Sequence, residues 1–329
     1  MIPARMVQRL FRLAVALAVS VAIWPSSAAA QQPGRLITII VPYTPGNNTP
    51  DILARMIGQE LQRLWGQAVV IENKPGASGN IGTQAAAHAV PDGHTLLMVT
   101  PAFAQNVGLF KNLPYDPVKS FAPIIQVAEV FIALAVHPSV PASSTREFIG
   151  HVKARPGRLN YSSPGHGSPH HLSMELFKLV TRIDIKHVPY RGTAPALQDL
   201  VGGHVDAMFL PLPVSLPLAR ENKIRLLAVA SQERVSSAPD VPTLPEQGVT
   251  GVDIDIWLGL LAPAGTPREI VTRYNAAVNG ILRSPQIAEK LANQGIHAVG
   301  GTPERFGELI EKEKAKWLKV VKEAGITAE

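Results

Sequence analysis

Residues 36–51 read Leu-Ile-Thr-Ile-Ile-Val-Pro-Tyr-Thr-Pro-Gly-Asn-Asn-Thr-Pro-Asp, and the organisation of the chain can be worked out from this stretch. The apolar run Leu36–Val41 predicts a buried strand, and a helix is predicted to begin near Asp51. The loop between them, Tyr43–Thr49, is rich in Gly, Asn and Thr. Such a loop leaves free backbone N–H groups at the positive end of the helix dipole. We therefore expect an anion-binding loop here.

The same strand–loop–helix scheme repeats along the chain. After the opening strand, the pattern predicts helix Asp51–Trp65, strand Ala68–Glu72, helix Asn80–Ala89 and strand Thr95–Thr100. Further on it predicts helix Thr145–Ala154, strand Leu159–Ser162, helix His170–Thr181, strand Ile185–Val188, helix Ala194–Gly202 and strand Val205–Leu210. This alternation is typical of parallel sheets covered by helices, so the chain belongs to the α/β class.

The segments that link the two regions are predicted to differ from them. The chain is expected to be irregular from Asn106 to Pro123 and then to form two separate strands, Ile124–Val130 and Ile132–Val136. The last part predicts strands Ile224–Ala230 and Trp257–Ala262 and helices Pro267–Leu282 and Pro303–Ala324.

Proline-rich segments around 114–141 and 239–267 are expected to be the two crossings between lobes. We therefore predict lobe 1 from residues 31–130, lobe 2 from 131–234, and a return segment with the second part of lobe 1 from 235–329. Two crossings create a hinged cleft, and ligands in such sheets bind at the carboxyl ends of the strands.

Residues 1–30 have the pattern of a signal peptide. Arg5, Arg9 and Arg12 form a basic start, Leu13–Trp24 is an apolar run, and small residues at the end provide a cleavage site near Ala30. A membrane anchor is the alternative, but this run is short for a span of about 20 residues. Cleavage lowers the formal charge from +6 to +3 because three arginines are removed. We expect a mature protein in the periplasm of a Gram-negative bacterium.

The composition excludes several classes of function. A mature charge of +3 with scattered basic residues does not favour nucleic-acid binding. Aromatic residues are only 5% of the chain, which argues against a stacking platform for bases or sugars. There is no cysteine, so disulfides, thiolate metal sites and cysteine nucleophiles are excluded.

Four loops that follow predicted strands share a content of Gly, Ser, Thr or Asn. They are the first loop (Tyr43–Thr49), the second loop (Gly76–Asn80), the third loop (Ser162–Ser168) and the fourth loop (Tyr190–Thr193). Their hydroxyl, amide and N–H groups can donate hydrogen bonds to a carboxylate. The candidate ligand-binding residues are Tyr43, Thr44, Gly46, Asn47, Asn48, Thr49, Ser78, Asn80, Thr100, Ala102, Ser163, His166, Gly167, Ser168, Tyr190, Arg191, Gly192, Thr193 and Asp206.

Two charged candidates each have two possible roles. Arg191 is the one cation in these loops and either clamps a carboxylate through both nitrogens or points to solvent. Asp206 is also compatible with a structural role at a strand end. Asp51 is interpreted as a helix-start residue that complements the dipole.

A secreted hydrolase is the rival interpretation, because Ser168 lies beside His166, His170 and His171. Nucleophilic catalysis needs a base within hydrogen-bond reach and a third group that orients it. The segment lacks the Gly-x-Ser-x-Gly pattern, since His166 stands at the serine position. We therefore predict no catalytic residues.

Metal and cofactor sites are not expected either. His166 and His170 have i,i+4 spacing, as do His171 and Glu175, so a metal site is conceivable. However, Pro169 interrupts the first pair and no His-Glu-x-x-His motif occurs. Neither a dinucleotide fingerprint nor a Gly-Lys-Ser/Thr phosphate loop is found.

Short motifs run in a fixed order through nearly the whole mature chain. They include Val41-Pro42-Tyr43, Pro45-Gly46, Ala54-Arg55, Glu72–Ala77, Gly79–Gly82, Pro91-Asp92-Gly93, Tyr115-Asp116-Pro117, Leu159-Asn160-Tyr161, Gly167-Ser168-Pro169, His187–Gly192, Val205-Asp206 and Ala262–Pro267. In this combination the chain resembles the Bug family, the extracytoplasmic solute receptors of tripartite tricarboxylate transporters.

The resemblance implies a two-lobed, type II-like periplasmic binding protein that closes on a small mono-, di- or tricarboxylic or aromatic acid. It also implies a ligand carboxylate held by the first loop, partly through water, and delivery to a membrane permease of two integral subunits. We expect a monomer without cofactor. A periplasmic sensor partner of a signalling protein would use the same pocket.

One departure from the family pattern lies in the first loop. The usual form is Pro-Gly-Gly-x-Thr-Asp, whereas this chain has Asn47 after Gly46 and one extra residue. Asn tolerates positive φ better than most residues, so the turn can be kept. We expect the added amides to change the pocket, and we expect Asn48→Ala to weaken ligand binding with little loss of stability.

Overall fold

The computed structural model describes residues 35–46, 48–252 and 254–326. The predicted signal peptide and the candidate residue Asn47 lie outside these ranges. A compact unit begins at Leu36 and contains the fold described below. None of the helices within the described ranges is long and apolar enough to cross a membrane.

The described residues alternate between strands and helices. The strands are β1 Ile37–Val41, β2 Val69–Asn73, β3 Thr95–Val99, β4 Phe121–Val136, β5 Asn160–Ser163, β6 Lys186–Pro189, β7 Ala207–Pro211, β8 Arg225–Val229, β9 Asp255–Pro263 and β10 His297–Ala298. The helices are α1 Thr49–Trp65, α2 Asn80–Ala87, α3 Ala102–Leu109, α4 Thr145–Lys153, α5 Pro169–Thr181, α6 Thr193–Val201, α7 Leu212–Arg220, α8 Arg268–Leu282, α9 Pro285–Asn293 and α10 Pro303–Ala324. A 3₁₀ turn, Ala77–Gly79, precedes α2.

Apart from the linking segment, the predicted strands and helices agree with the observed ones to within two residues. The prediction of two strands at 124–136 is wrong, because β4 is one strand of 16 residues. Phe131, between the two apolar runs, does not break it but pairs with Asp255 of β9. Pro123 is accommodated where the register of this pairing shifts, a position at which strands tolerate proline.

The segment predicted to be irregular from Asn106 contains the end of helix α3. Helix α3 begins after Pro101 and has no side-chain cap, and the sequence prediction did not include it. Helix α7 was also missed, because it contains Pro213 and Pro217.

The strands join into one sheet system whose order is β2-β1-β3-β9-β4-β7-β5-β6, with β8 and β10 also paired to β4. Strands β1, β2 and β3 are parallel, as are β5, β6 and β7. We call lobe 1 the part built on β1–β3, β9 and the first half of β4. Lobe 2 is the part built on β5–β8 and the second half of β4. The lobe limits in residue numbers stay a prediction.

The register shows which ends of the strands face the other lobe. In lobe 2, Pro211 at the carboxyl end of β7 pairs with Ile132, in the middle of β4. In lobe 1, Val99 at the end of β3 pairs with Gly259, which pairs with Gln126. Both sets of parallel strands therefore direct their carboxyl ends, and the loops that follow, toward the middle of β4.

Helix α10 contributes to the cores of both lobes. Phe306 and Ile310 pack with the buried residues of lobe 1, whereas Trp317 packs with those of lobe 2. Gly259 in β9 lies under Phe306, and a Cβ atom at this position would come within 2.1 Å of the Phe306 ring. Only glycine allows this approach of helix to sheet.

Candidate ligand-binding site

Asn48 closes the first loop and starts helix α1. Its Oδ1 accepts a hydrogen bond of 3.1 Å from the backbone N of Asp51, which is an N-cap. Its Nδ2 donates a bond of 2.6 Å to the carbonyl of Thr44. Both ends of the amide are therefore engaged within the loop. The geometry adds an N-cap role for Asn48 to the ligand contact that the sequence predicts.

Asp51 anchors the first loop to the neighbouring strand. Its carboxylate accepts hydrogen bonds from the backbone N of Gly46 at 3.1 Å, from Nε of Arg55 at 2.9 Å and from Nδ2 of Asn73 at 2.8 Å. Burial of the carboxyl group opposes its ionisation, but these hydrogen bonds outweigh burial and lower the pKa of Asp51 from its ordinary 3.8. Its role is therefore larger than the dipole interaction that we predicted.

Tyr43 joins the first loop to the end of β3. Its hydroxyl lies 2.5 Å from Oγ1 of Thr100, and its carbonyl accepts a bond of 3.1 Å from Asn73. Burial raises the pKa of Tyr43 to about 12, so the hydroxyl stays protonated. The two predicted ligand residues Tyr43 and Thr100 thus fix each other in position.

The second loop has a strained backbone. Ala77 and Ser78 have φ values of 46° and 55°, a left-handed conformation that costs about 1–3 kcal/mol per non-glycine residue. Asn106 stabilises the loop, because its Nδ2 donates to the carbonyl of Ser78 at 3.0 Å and to Oδ1 of Asn80 at 2.7 Å. The N–H groups of Ala77 and Ser78 have no acceptor among the described residues. Strain of this kind concentrates at ligand clamps.

The third loop leads into helix α5 through Ser168. The Ser168 Oγ accepts a bond of 3.3 Å from the backbone N of His171 and is the N-cap of the helix. The N–H of Gly167 donates to Nδ1 of His171 at 3.0 Å, so this ring nitrogen carries no proton. Gly167 has φ of 70°, and a Cβ there would lie 2.7 Å from Leu109 of α3. The third loop of lobe 2 therefore contacts a helix that follows a lobe 1 strand.

Ser163 connects the third loop to strand β6. Its hydroxyl donates to the carbonyl of Gly165 at 3.0 Å and lies 2.7 Å from Nε2 of His187. Because the single hydroxyl proton points to Gly165, the proton of the second contact belongs to Nε2 of His187. The Nδ1 atom of His187 then carries a lone pair.

Three histidine rings lie together beside this loop. The rings of His171 and His187 stack with centroids 4.0 Å apart, and His166 meets both edge-on. Burial, followed by the neighbouring positive charges, lowers the pKa of His171 to about 4. Burial and the neighbouring histidines lower that of His187 to about 3. Both rings are therefore neutral at neutral pH.

The fourth loop is joined to the third by main-chain hydrogen bonds. The N of Tyr190 donates to the carbonyl of Ser163 at 2.9 Å, and the N of Gly192 donates to that of Pro164 at 3.2 Å. The Tyr190 hydroxyl donates to Asp199, and burial together with this contact raises its pKa to about 12. Arg191 is exposed and forms no ion pair with any residue in the described ranges.

The candidate residues fall into two groups that face the middle of β4. Tyr43, Thr44, Gly46, Asn48, Thr49, Ser78, Asn80, Thr100 and Ala102 follow the strand ends of lobe 1, and Ser163, His166, Gly167, Ser168, Tyr190, Arg191, Gly192 and Thr193 follow those of lobe 2. Asp206 is the exception. It precedes β7, and its Oδ2 accepts a bond of 2.8 Å from the backbone N of Asn160 at the start of β5. It therefore lies at the far end of the lobe 2 sheet and links two strands.

Three residues that hold the loops were absent from the predicted set. Asn73 and His187 stood inside motifs quoted above but carried no signal for the contact that each makes. Asn106 lay in a segment predicted to be irregular. A helix assignment there would have placed an amide next to the second loop.

The geometry does not support the hydrolase alternative. The Ser168 Oγ caps a helix instead of contacting a histidine ring. Ser163 does contact Nε2 of His187, but that nitrogen is a donor, and no group within the described ranges pairs with Nδ1 of the same ring. A nucleophile needs a base that accepts its proton and a group that orients the base.

Two lobes joined by a shared strand, with hydrogen-bonding loops at facing strand ends, define the class of two-lobed solute-binding proteins. The family model described as tripartite tricarboxylate transporter family receptor matches residues 53–326. Protein BugT of Bordetella pertussis is 36% identical over 300 residues, which cover 91% of this chain and 92% of BugT.

Two solved structures are similar throughout. Rpa4515 of R. palustris, solved with adipate, has 40% identity and a TM-score of 0.79 over 90% of this chain and 99% of its own. MatC of Rhodopseudomonas palustris, solved with bound malate, has 35% identity and a TM-score of 0.76 over 88% and 99%. The chain therefore belongs to the tripartite tricarboxylate transporter family of receptors, which are solute-binding receptors and not enzymes.

Proposed function

We propose that this chain is a periplasmic receptor that captures a small carboxylate between its lobes and delivers it to a membrane permease of two integral subunits. In this proposal residues 1–30 are a signal peptide cleaved near Ala30. The observation that carries the proposal is the register of β4, along which the strand ends of both lobes face each other. Ligands of open α/β sheets bind at such ends.

The donors in the loops suit a carboxylate. The N–H groups of Ala77 and Ser78 lack acceptors within the described residues, and helices α5 and α6 begin at the third and fourth loops. Helix starts and free N–H groups stabilise anions. Arg191 adds a full positive charge without a competing ion pair among the described residues. It is the residue that we assign to direct pairing with the ligand.

Two relatives support a narrower proposal for the ligand class. Rpa4515 was solved with adipate and MatC with malate, and both molecules are dicarboxylates. A ligand with two carboxylates can engage the lobes at the same time, so that binding stabilises the closed state. We propose a dicarboxylate in the first instance, with mono- and tricarboxylic and aromatic acids as the wider set.

A ligand panel tests the proposed function. Succinate, malate, adipate, citrate and benzoate would be added separately to the mature protein, with melting temperature and calorimetric titration as readouts. A cognate ligand at 100 times its Kd should stabilise the protein by about 2.7 kcal/mol. Absence of a shift and of binding heat with every carboxylate would overturn the proposal.

A matched pair of arginine variants tests the assignment of Arg191. Arg191→Gln should weaken the best ligand about 10- to 100-fold, because a hydrogen bond to a charged group contributes about 1.5–3 kcal/mol. Arg146→Gln is the control, since Arg146 is also exposed and without an ion pair in the described residues but lies at the start of α4. Equal affinities of both variants would remove Arg191 from the site.

A further inference from the structure

Histidines from one loop, one helix and one strand converge in lobe 2. His166 belongs to the third loop, His171 to the first turn of α5 and His187 to β6. One ring nitrogen of each lies within 4.8 Å of the corresponding nitrogen of the others. Imidazole nitrogen is a preferred ligand of zinc, nickel and copper ions. The sequence did not reveal this group because His187 comes 16 residues after His171.

His187 has the hydrogen bonding that is typical of a metal ligand. Its Nε2–H donates to Ser163 at 2.7 Å, which leaves Nδ1 as the nitrogen with a free lone pair. That Nδ1 atom is buried and has no hydrogen-bond partner in the described residues. Histidines that bind metals usually donate their other N–H to a protein group, which fixes the tautomer. A buried acceptor without a partner is costly and calls for an explanation.

The other two rings are compatible with the same role. Nδ1 of His171 carries no proton, since it accepts a bond from Gly167. His166 is exposed and stands between two glycines, so its ring can move.

We propose that His166, His171 and His187 bind one divalent transition-metal ion of the zinc or nickel type, and that a fourth position stays open. Three ligands with bonds of 2.0–2.1 Å in tetrahedral geometry would bring the nitrogens to about 3.4 Å from one another. The cluster must therefore contract. His166 moves inward, His171 exchanges its contact with Gly167, and the stacked rings tilt apart. A water molecule or a carboxylate oxygen can complete the coordination at the open position.

Cobalt titration of the untagged mature protein tests this proposal. The protein is first dialysed against a chelator, and Co²⁺ is then added in the absence of any carboxylate. One ion per chain is expected, with the visible absorption of a nitrogen-coordinated tetrahedral ion, and Zn²⁺ should displace it. His166→Ala and His187→Gln should each lower the affinity about 100-fold or more, since loss of an outer-shell partner alone costs about 10- to 100-fold.

His88→Ala is the control, because His88 is exposed and lies at the end of helix α2 in lobe 1. It should bind Co²⁺ as the parent protein does. The exposed position of His166 makes folding of that variant secure even where His187→Gln is unstable. The proposal is overturned if the parent protein does not bind Co²⁺, or if His166→Ala and His187→Gln both bind Co²⁺ with unchanged affinity. Carboxylate binding measured with chelator present is a separate result, so either proposal can fail alone.

Discussion

The carboxylate of Glu313 accepts a hydrogen bond of 2.8 Å from the indole nitrogen of Trp317, and both side chains are buried. The same oxygen lies 3.5 Å from the indole nitrogen of Trp257 in strand β9. Trp317 belongs to the core of lobe 2 and Trp257 to a core of lobe 1. One carboxylate on α10 is thus the hydrogen-bond acceptor for indole groups of both lobes.

Replacement of Glu313 tests how much this contact stabilises the fold. Glu313→Ala leaves two buried indole N–H groups without an acceptor, and each such group costs about 1–3 kcal/mol. We expect the free energy of unfolding in urea, followed by tryptophan fluorescence, to fall by at least about 2 kcal/mol. Glu313→Gln keeps an acceptor oxygen and should lose less than half as much. Equal losses for both variants would contradict this account.

The lowered pKa of Asp51 predicts that the free energy of unfolding decreases at acid pH. Its pKa is lowered in the folded state, so its contribution is fully present above the unfolded value of about 3.8 and is lost as the pH falls through the folded pKa. The free energies of unfolding of the parent protein and of Asp51→Asn in urea should therefore differ most at neutral pH and converge as the pH falls below 3.8 and through the lowered folded pKa. A difference that stays constant from neutral to acid pH would show that ionisation of Asp51 does not matter.

Two variants of Asn48 separate the effect of its N-cap from the effect of its hydrogen bond to Thr44. Asn48→Ala removes the N-cap of α1 and should lower the free energy of unfolding by about 1 kcal/mol. Asn48→Asp keeps the capping oxygen but not the donor to Thr44, so it should retain most of the stability. Calorimetry on both variants then reports whether ligand affinity follows the cap or the donor. An unchanged melting temperature of Asn48→Ala would refute the N-cap role.

The close approach of Gly167 to Leu109 predicts that a larger residue in the third loop disturbs its packing against helix α3. Gly167→Ala places a Cβ 2.7 Å from Leu109 at φ of 70°, and we expect a loss of about 1–3 kcal/mol in stability together with weaker ligand binding. Adding Leu109→Ala relieves the clash but not the backbone strain, so the double variant should regain only part of the binding affinity. Gly150→Ala is the control, because no atom lies within 4 Å of its Cβ position and alanine favours the helix.

The positions of the loops could be predicted from the sequence, because strand and helix periods alternate and strand ends determine where loops lie. The contacts inside the loops could not. Asp51 and Asn73 are 22 residues apart, and only the parallel pairing of β1 with β2 brings their side chains to 2.8 Å. The same holds for Tyr43 and Thr100, which meet through the pairing of β1 with β3.

Several hydroxyl and amide groups that the sequence assigns to the ligand also have partners within the protein. Tyr43, Asn48, Ser168 and Tyr190 were predicted to face the ligand, yet each has its polar group engaged with another part of the protein. Residue type indicates that a group can donate a hydrogen bond, but not which partner is nearer. The backbone N–H groups of Ala77 and Ser78, by contrast, have no acceptor among the described residues.

The position of Trp317 has a consequence for the timing of folding. Lobe 1 needs β9, lobe 2 needs Trp317, and both come from the last quarter of the chain. A chain that is still being made, or that stops before α10, exposes apolar surface on both lobes and is open to proteolysis. Neither lobe therefore has a complete core until helix α10 has been made, and no shorter part of the chain contains one finished lobe.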